Sequence, residues 1–66
     1  MTDSFNAWRT EVASNILYRW ACEEITSSEA ETQCLRRTNL HVDLYQIYGY
    51  VEAFDAETGD RFEIYV

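Results

Sequence analysis

VEAFDAETGDRFEIYV, residues 51–66, decides how this chain folds. It reads as a β-hairpin with Ala56, Glu57, Thr58 and Gly59 as the loop and Gly59 supplying the left-handed conformation that a type I turn with a bulge requires. That loop sets the register. Asp55 pairs with Asp60, Ala53 with Phe62, Val51 with Ile64 and Tyr50 with Tyr65, so that Glu52 faces Glu63. Directly opposed like charges destabilise a sheet, yet a slip of one residue would set Glu52 against Ile64 and mix the two faces, which burial of one face resists. One face then carries Ile47, Val51, Ala53, Phe62, Ile64 and Val66. The other carries Tyr48, Tyr50, Glu52, Phe54, Arg61, Glu63 and Tyr65.

Working back from the hairpin, Leu40, Val42 and Leu44 alternate with His41, Asp43 and Tyr45, the period of a strand with one buried side. Between residues 43 and 48, DLYQIY contains no Gly, Pro or Asn. It either joins two strands or forms a short helical turn ended by Gly49. A three-stranded meander is preferred over a two-stranded hairpin with a third helix.

Residues 4–25 place Phe5, Trp8, Val12, Ile16 and Trp20 at intervals of three and four, with Ala13 and Leu17 widening the stripe. This predicts an amphipathic helix, capped by Asp3 or Ser4, that covers the apolar face of the sheet. A second, short helix is predicted at about 29–37. Ser28 and Glu31 stand in the relation of a capping box there, and Arg36 and Arg37 lie near its negative end. The expected fold class is α+β: two N-terminal helices packed on a three-stranded antiparallel sheet that ends in the C-terminal hairpin, one domain over 1–66.

The 66 residues are 47% hydrophobic and 15% aromatic, which argues for a packed core over disorder, although a chain of this size buries only about 60% of its unfolded surface. Twelve acidic residues oppose five basic ones, all Arg, for a net charge of −7. Such a balance opposes binding to nucleic acid or anionic membrane and favours a basic protein surface. The N-terminal MTDSFNAWRTE has neither a basic start nor an apolar run, so a cytoplasmic protein without a membrane span is expected. Cys22 and Cys34, with His41 the sole histidine, are not spaced as a zinc site and are expected to be reduced thiols. His41 is expected at the edge of the core.

Catalytic motifs are missing: there is no nucleophile elbow, phosphate-binding loop, H-E-x-x-H or C-x-x-C. DAETGD lacks the downstream glutamate of a calcium loop. No enzyme, cofactor or metal is therefore expected. Carboxylates two apart on a strand lie about 6.6–6.8 Å apart, and helix neighbours about 5–6 Å, near the separation of successive phosphates. A rigid carboxylate array can thus stand in for nucleic acid on a basic protein. The candidate arrays are Glu52, Asp55, Glu57, Asp60 and Glu63 along the hairpin, and Glu23, Glu24, Glu29 and Glu31 around the helix corner, with Tyr50 and Tyr65 as aromatic anchors.

In size, acidity, absence of Lys, Tyr content and helix-plus-sheet layout, the chain resembles the small anti-CRISPR proteins of phages and mobile elements, especially inhibitors of type I systems, and leans to type I-C. That resemblance implies a monomeric DNA mimic that binds a basic, DNA-reading surface of a subunit of the surveillance complex, Cascade, without touching nucleic acid itself. It assigns no residue by motif. The competing expectation is an antitoxin-like or adaptor module that docks through the outer tyrosines.

Overall fold

Helix α1 (Thr2–Ala21) and helix α2 (Ser27–Thr38) precede strands β1 (Leu40–Ile47), β2 (Tyr50–Asp55) and β3 (Arg61–Tyr65). The computed structural model describes residues 2–47 and 49–66, and the side chains of all of these but residues 2, 3, 46 and 47. The strands form an antiparallel sheet in the order β1-β2-β3. Both helices lie on one side of it, α2 over β1 and α1 reaching β3. This is the α+β arrangement expected from the sequence. Among the described residues no helix is long and apolar enough to cross a membrane.

The hairpin has the register that its loop dictates. Tyr50 faces Tyr65, Val51 faces Ile64, Glu52 faces Glu63 and Ala53 faces Phe62. Gly59 has φ +79°, where a side chain would be strained, and its N–H donates to Asp55 O at 2.9 Å. The N–H of Asp55 donates to Asp60 O, also at 2.9 Å. The DLYQIY segment continues β1 as far as Ile47 and forms no third helix. Asp43 pairs with Glu52 and Ile47 with Val51, so residues 44–46 bulge out against a single step of β2. Gly49, at φ +81°, then reverses the chain. The placement expected for Tyr48 lies outside the described residues.

Ala13, Ile16 and Leu17 of α1, Ala30 and Cys34 of α2, Leu40, Val51, Ala53 and Ile64 form the centre of the core, each 2% exposed or less. Full burial of a Leu, Ile or Val side chain is worth about 1.5–3 kcal/mol. The expected stripe on α1 needs correction, chiefly in its first turns. Phe5 and Trp8 are more than half exposed, stacked on each other with ring centroids 6.2 Å apart, and Trp20 is only partly buried. Two causes act. A 20-residue helix is about 30 Å long, while strands of five or six residues span about 17–20 Å, so the first turns of α1 overhang the sheet. Arg9 also takes the inward position, which swings Trp8 about 100° away from the core. Val66, expected inward, is half exposed.

The helix ends differ from expectation for local reasons. Helix α1 begins at Thr2, before Asp3 and Ser4, and ends at Ala21, not residue 25. Glu24 N–H donates to Arg19 O and Glu23 N–H to Trp20 O, with Glu23 at φ +62°. This is a Schellman closure with glutamate in the position usually given to glycine. Helix α2 starts two residues early. Its capping box is Thr26 with Glu29, not Ser28 with Glu31: Thr26 Oγ1 accepts from Glu29 N–H at 3.1 Å, and Glu29 Oε1 from Thr26 N–H at 3.0 Å. That start places Ala30, Cys34 and Thr38 on one buried face. At the other end Asn39, in the left-handed conformation, caps the helix. Both cysteines are free; Cys22 is exposed, and burial pushes the Cys34 thiol up to about 11.

Candidate docking surface

The alternation that buries Val42, Leu44, Val51, Ala53 and Ile64 turns the intervening residues to the side of the sheet opposite the helices. Their cross-strand registers make three rows there: His41, Phe54 and Arg61; Asp43, Glu52 and Glu63; and Tyr50 with Tyr65. His41 is exposed, and it also borders a depression with Leu35 and the core residue Val42 at the β1 edge. Adjacent strands are about 4.7–4.9 Å apart, so three carboxylates line up across the full width of the sheet. The Asp55 to Asp60 hydrogen bond makes Glu52 and Glu63 a non-hydrogen-bonded pair, the kind whose side chains come closer.

The repulsion in that row is relieved within the domain. Arg61 is the diagonal neighbour of Glu52, and its Nη2 donates to Glu52 Oε1 at 2.6 Å while the guanidinium lies 5.7 Å from the Phe54 ring centroid. Glu63 Oε1 accepts from the Tyr65 hydroxyl at 3.1 Å. That hydrogen bond, together with the charge of Glu63, raises the Tyr65 phenol above its ordinary value. The rings of Tyr50 and Tyr65 are 5.9 Å apart at 57°. Asp43 Oδ1 accepts from the N–H of Tyr45, whose side chain is 94% exposed. Between these groups a shallow recess of about 390 Å³ is lined by Tyr50, Glu52, Arg61, Phe62 and Glu63.

The structure does not unite the expected hairpin array. Asp55 leaves it: the carboxylate points to the helix side, where Arg9 Nη1 donates to Oδ2 at 2.5 Å, and Oδ1 accepts from the N–H groups of Glu57 and Thr58. The Thr58 N–H first, then Arg9 and the Glu57 N–H, hold this carboxyl down to about 2. Asp55 is therefore a fold-holding residue. Glu57 and Asp60 are exposed at the hairpin tip. At the helix corner Glu23, Glu24 and Glu29 border one shallow groove beside Trp20, whereas Glu31 borders a different depression with Leu35 and His41. Glu29 is engaged by its capping box, whose backbone hydrogen bond from Thr26 lowers its pKa.

Three residues on the open face escaped the sequence analysis as site residues: Asp43, Tyr45 and Arg61. The outward alternation of Asp43 and Tyr45 was visible, but the pairing of Asp43 with Glu52 depends on the bulge at residues 44–46, which contains Tyr45 and which no turn residue marks. Arg61 was legible, since the hairpin register alone makes it diagonal to Glu52. Among the described residues no three His, Cys, Asp or Glu side chains converge to hold a metal ion. No protein-family model, curated protein or solved structure matches this chain.

Proposed function

We propose that this chain is a non-enzymatic inhibitor that docks its open, acidic sheet face on a basic DNA-binding surface of a type I CRISPR surveillance complex, Cascade, and so blocks target or PAM DNA. The observation that carries the reading is the row Asp43, Glu52 and Glu63, fixed on three adjacent strands of a domain with net charge −7. Carboxylates projecting from a hydrogen-bonded sheet have a fixed backbone spacing when they meet a cationic cleft, and rigid presentation favours affinity. Exposed Glu57 and Asp60 extend the negative field to the tip and steer encounter. The choice of a CRISPR effector rests on the resemblance in size, acidity and layout. In this role the chain acts as a monomer in the cytoplasm that holds the complex, because like-charged copies repel.

A second reading is favoured by Tyr45, 94% exposed, and by the Tyr50–Tyr65 ring pair: a module that docks through tyrosines, with the acids merely solvated. Salt separates the two. In a DNA-binding titration of purified Cascade, excess chain should displace target DNA at low salt and lose that ability steeply as ionic strength rises. Salt-insensitive binding would favour the tyrosine module. Undiminished DNA binding in the presence of excess chain would refute the inhibitor reading.

A further inference from the structure

We infer that the free edge of β3, with the groove that α1 forms beside it, docks an extended strand of a partner protein in which basic and apolar residues alternate. The inference concerns the edge of the sheet and stands apart from the reading of the open face.

The hairpin register fixes which backbone groups are spare. The Asp55 N–H donates to Asp60 O, so Ala53–Phe62 and Val51–Ile64 are the hydrogen-bonded pairs of β2 and β3, and the N–H and C=O groups of Arg61, Glu63 and Tyr65 point away from β2. β3 is an edge strand. The Tyr65 C=O accepts from Ser14 Oγ at 2.9 Å. Among the described residues no hydrogen bond reaches the backbone of Arg61 or Glu63. A row of this kind pairs with an incoming strand, whose main-chain groups supply the missing partners. The opposite edge lacks such a row, because the bulge at residues 44–46 interrupts β1 after Asp43.

The groove reads the side chains of that strand. The Ser14 hydrogen bond holds α1 alongside the edge, and an open groove of about 280 Å³ runs between Ala7, Thr10 and Ser14 on the helix and Ile64 on β3. Residues of an added strand that lie opposite Glu63 share its face of the sheet, while their neighbours, opposite Phe62 and Ile64, point to the helix side and into the groove. The small residues of the helix wall leave room there for an aliphatic side chain. Charge sets the alternate positions. Glu11 and Glu63 border the groove, and the two ion pairs among the described residues, Arg9–Asp55 and Arg61–Glu52, leave both without a cation. Arg61 reaches across to Glu52 on β2, away from the edge. A lysine or arginine opposite Glu63 therefore makes a favourable cross-strand pair. A second copy is the poorest strand partner, since it brings a further charge of −7.

The test uses the full chain, labelled with ¹⁵N, and the end-capped peptide Lys-Val-Lys-Val-Lys. In the free chain the amides of Arg61 and Glu63 should exchange with solvent faster than those of Phe62 and Ile64. On binding they should become protected, with shifts at Ala7 and Ser14. Methylating the Lys amide nitrogens removes the donors that face β3 and should weaken binding about tenfold, whereas methylating the Val amide nitrogens, which face away, should leave it within about twofold. Glu-Val-Glu-Val-Glu should not bind. Ala7→Leu, at an exposed helix position, should fill the groove and weaken binding several-fold. Failure of the basic peptide to bind, equal losses from the two methylations, equal binding of the acidic peptide, or shifts centred on Glu57 and Asp60, on Asp43 and Glu52 or on His41 and Val42 would overturn the proposal. So would dimerisation of the chain through β3 in sedimentation. The peptide comparisons stand whether or not the variant folds. No Cascade is present, so failure here leaves the DNA-competition reading of the open face untouched, and failure of that reading leaves the edge site.

Discussion

Arg9 and Asp55, 46 positions apart in the chain, form an ion pair whose side chains are 5% and 9% exposed and which ties helix α1 to the hairpin turn. Arg9 is further held by Asn6 Oδ1 and lies 4.8–4.9 Å from the centroids of the Phe5 and Phe62 rings. The folded chain keeps Asp55 ionised to about 2, below the ordinary 3.8. Its contribution is therefore complete above 3.8 and disappears as pH falls through about 2, because the unfolded chain takes up the proton first. Asp55→Asn should lower Tm at neutral pH, since Arg9 loses its counter-charge, and should flatten the fall in Tm between pH 4 and pH 2. Thermal melts of both proteins across that range check this; parallel curves would show that the pair does not set the acid response.

Glu52 and Glu63 oppose each other, but only Glu52 is ion-paired with Arg61. Their neutral variants should therefore differ in their effect on stability. Glu63→Gln relieves the repulsion and should stabilise by a few tenths of a kcal/mol. Glu52→Gln gives up the pairing with Arg61 and should be neutral or destabilise by up to about 1 kcal/mol. Denaturant melts of the two variants decide it, and a gain from Glu52→Gln equal to that from Glu63→Gln would mean that Arg61 does not compensate the row.

Glu23 occupies a left-handed backbone position that suits glycine. Glu23→Gly removes the steric cost of a side chain there, so a gain of up to about 1 kcal/mol is expected, reduced by the extra freedom of glycine in the unfolded chain. A loss of stability, measured by the same melts, would show that the glutamate side chain contributes to the fold.

The corrected face of α1 makes a further contrast. Ile16 is fully buried and Trp8 is 53% exposed. Ile16→Ala should cost about 2–5 kcal/mol, while Trp8→Ala should stay within about 0.5 kcal/mol. Equal losses in the two variants would return Trp8 to the core.

How much of this was legible follows from what each residue reports locally. The hairpin register came from the loop chemistry of Gly59 and the apolar alternation around it, both of which are local. The end of α1 was not legible, because Glu23 gives no sign of a left-handed position. The Thr26–Glu29 box and the expected Ser28–Glu31 box share one spacing, and only the packing of Ala30, Cys34 and Thr38 chooses between them. At the surface, Glu52, Glu63, Tyr50 and Tyr65 were placed together by pairing. Asp55 was misjudged because its partner Arg9 is distant in sequence and reads as a polar residue on an otherwise amphipathic helix.

The central claim is that the open sheet face docks on a basic DNA-binding surface. The most direct measurement compares two triple variants as competitors of target DNA for Cascade: Asp43→Asn/Glu52→Gln/Glu63→Gln on the open face, and Glu23→Gln/Glu24→Gln/Glu31→Gln around the helix corner. The two carry the same net charge and differ only in where it was removed. Loss of about tenfold in competing strength, near 1.4 kcal/mol, is expected for the open-face variant with folding intact. The helix variant should stay close to wild type. Equal competition by the two variants would contradict the account.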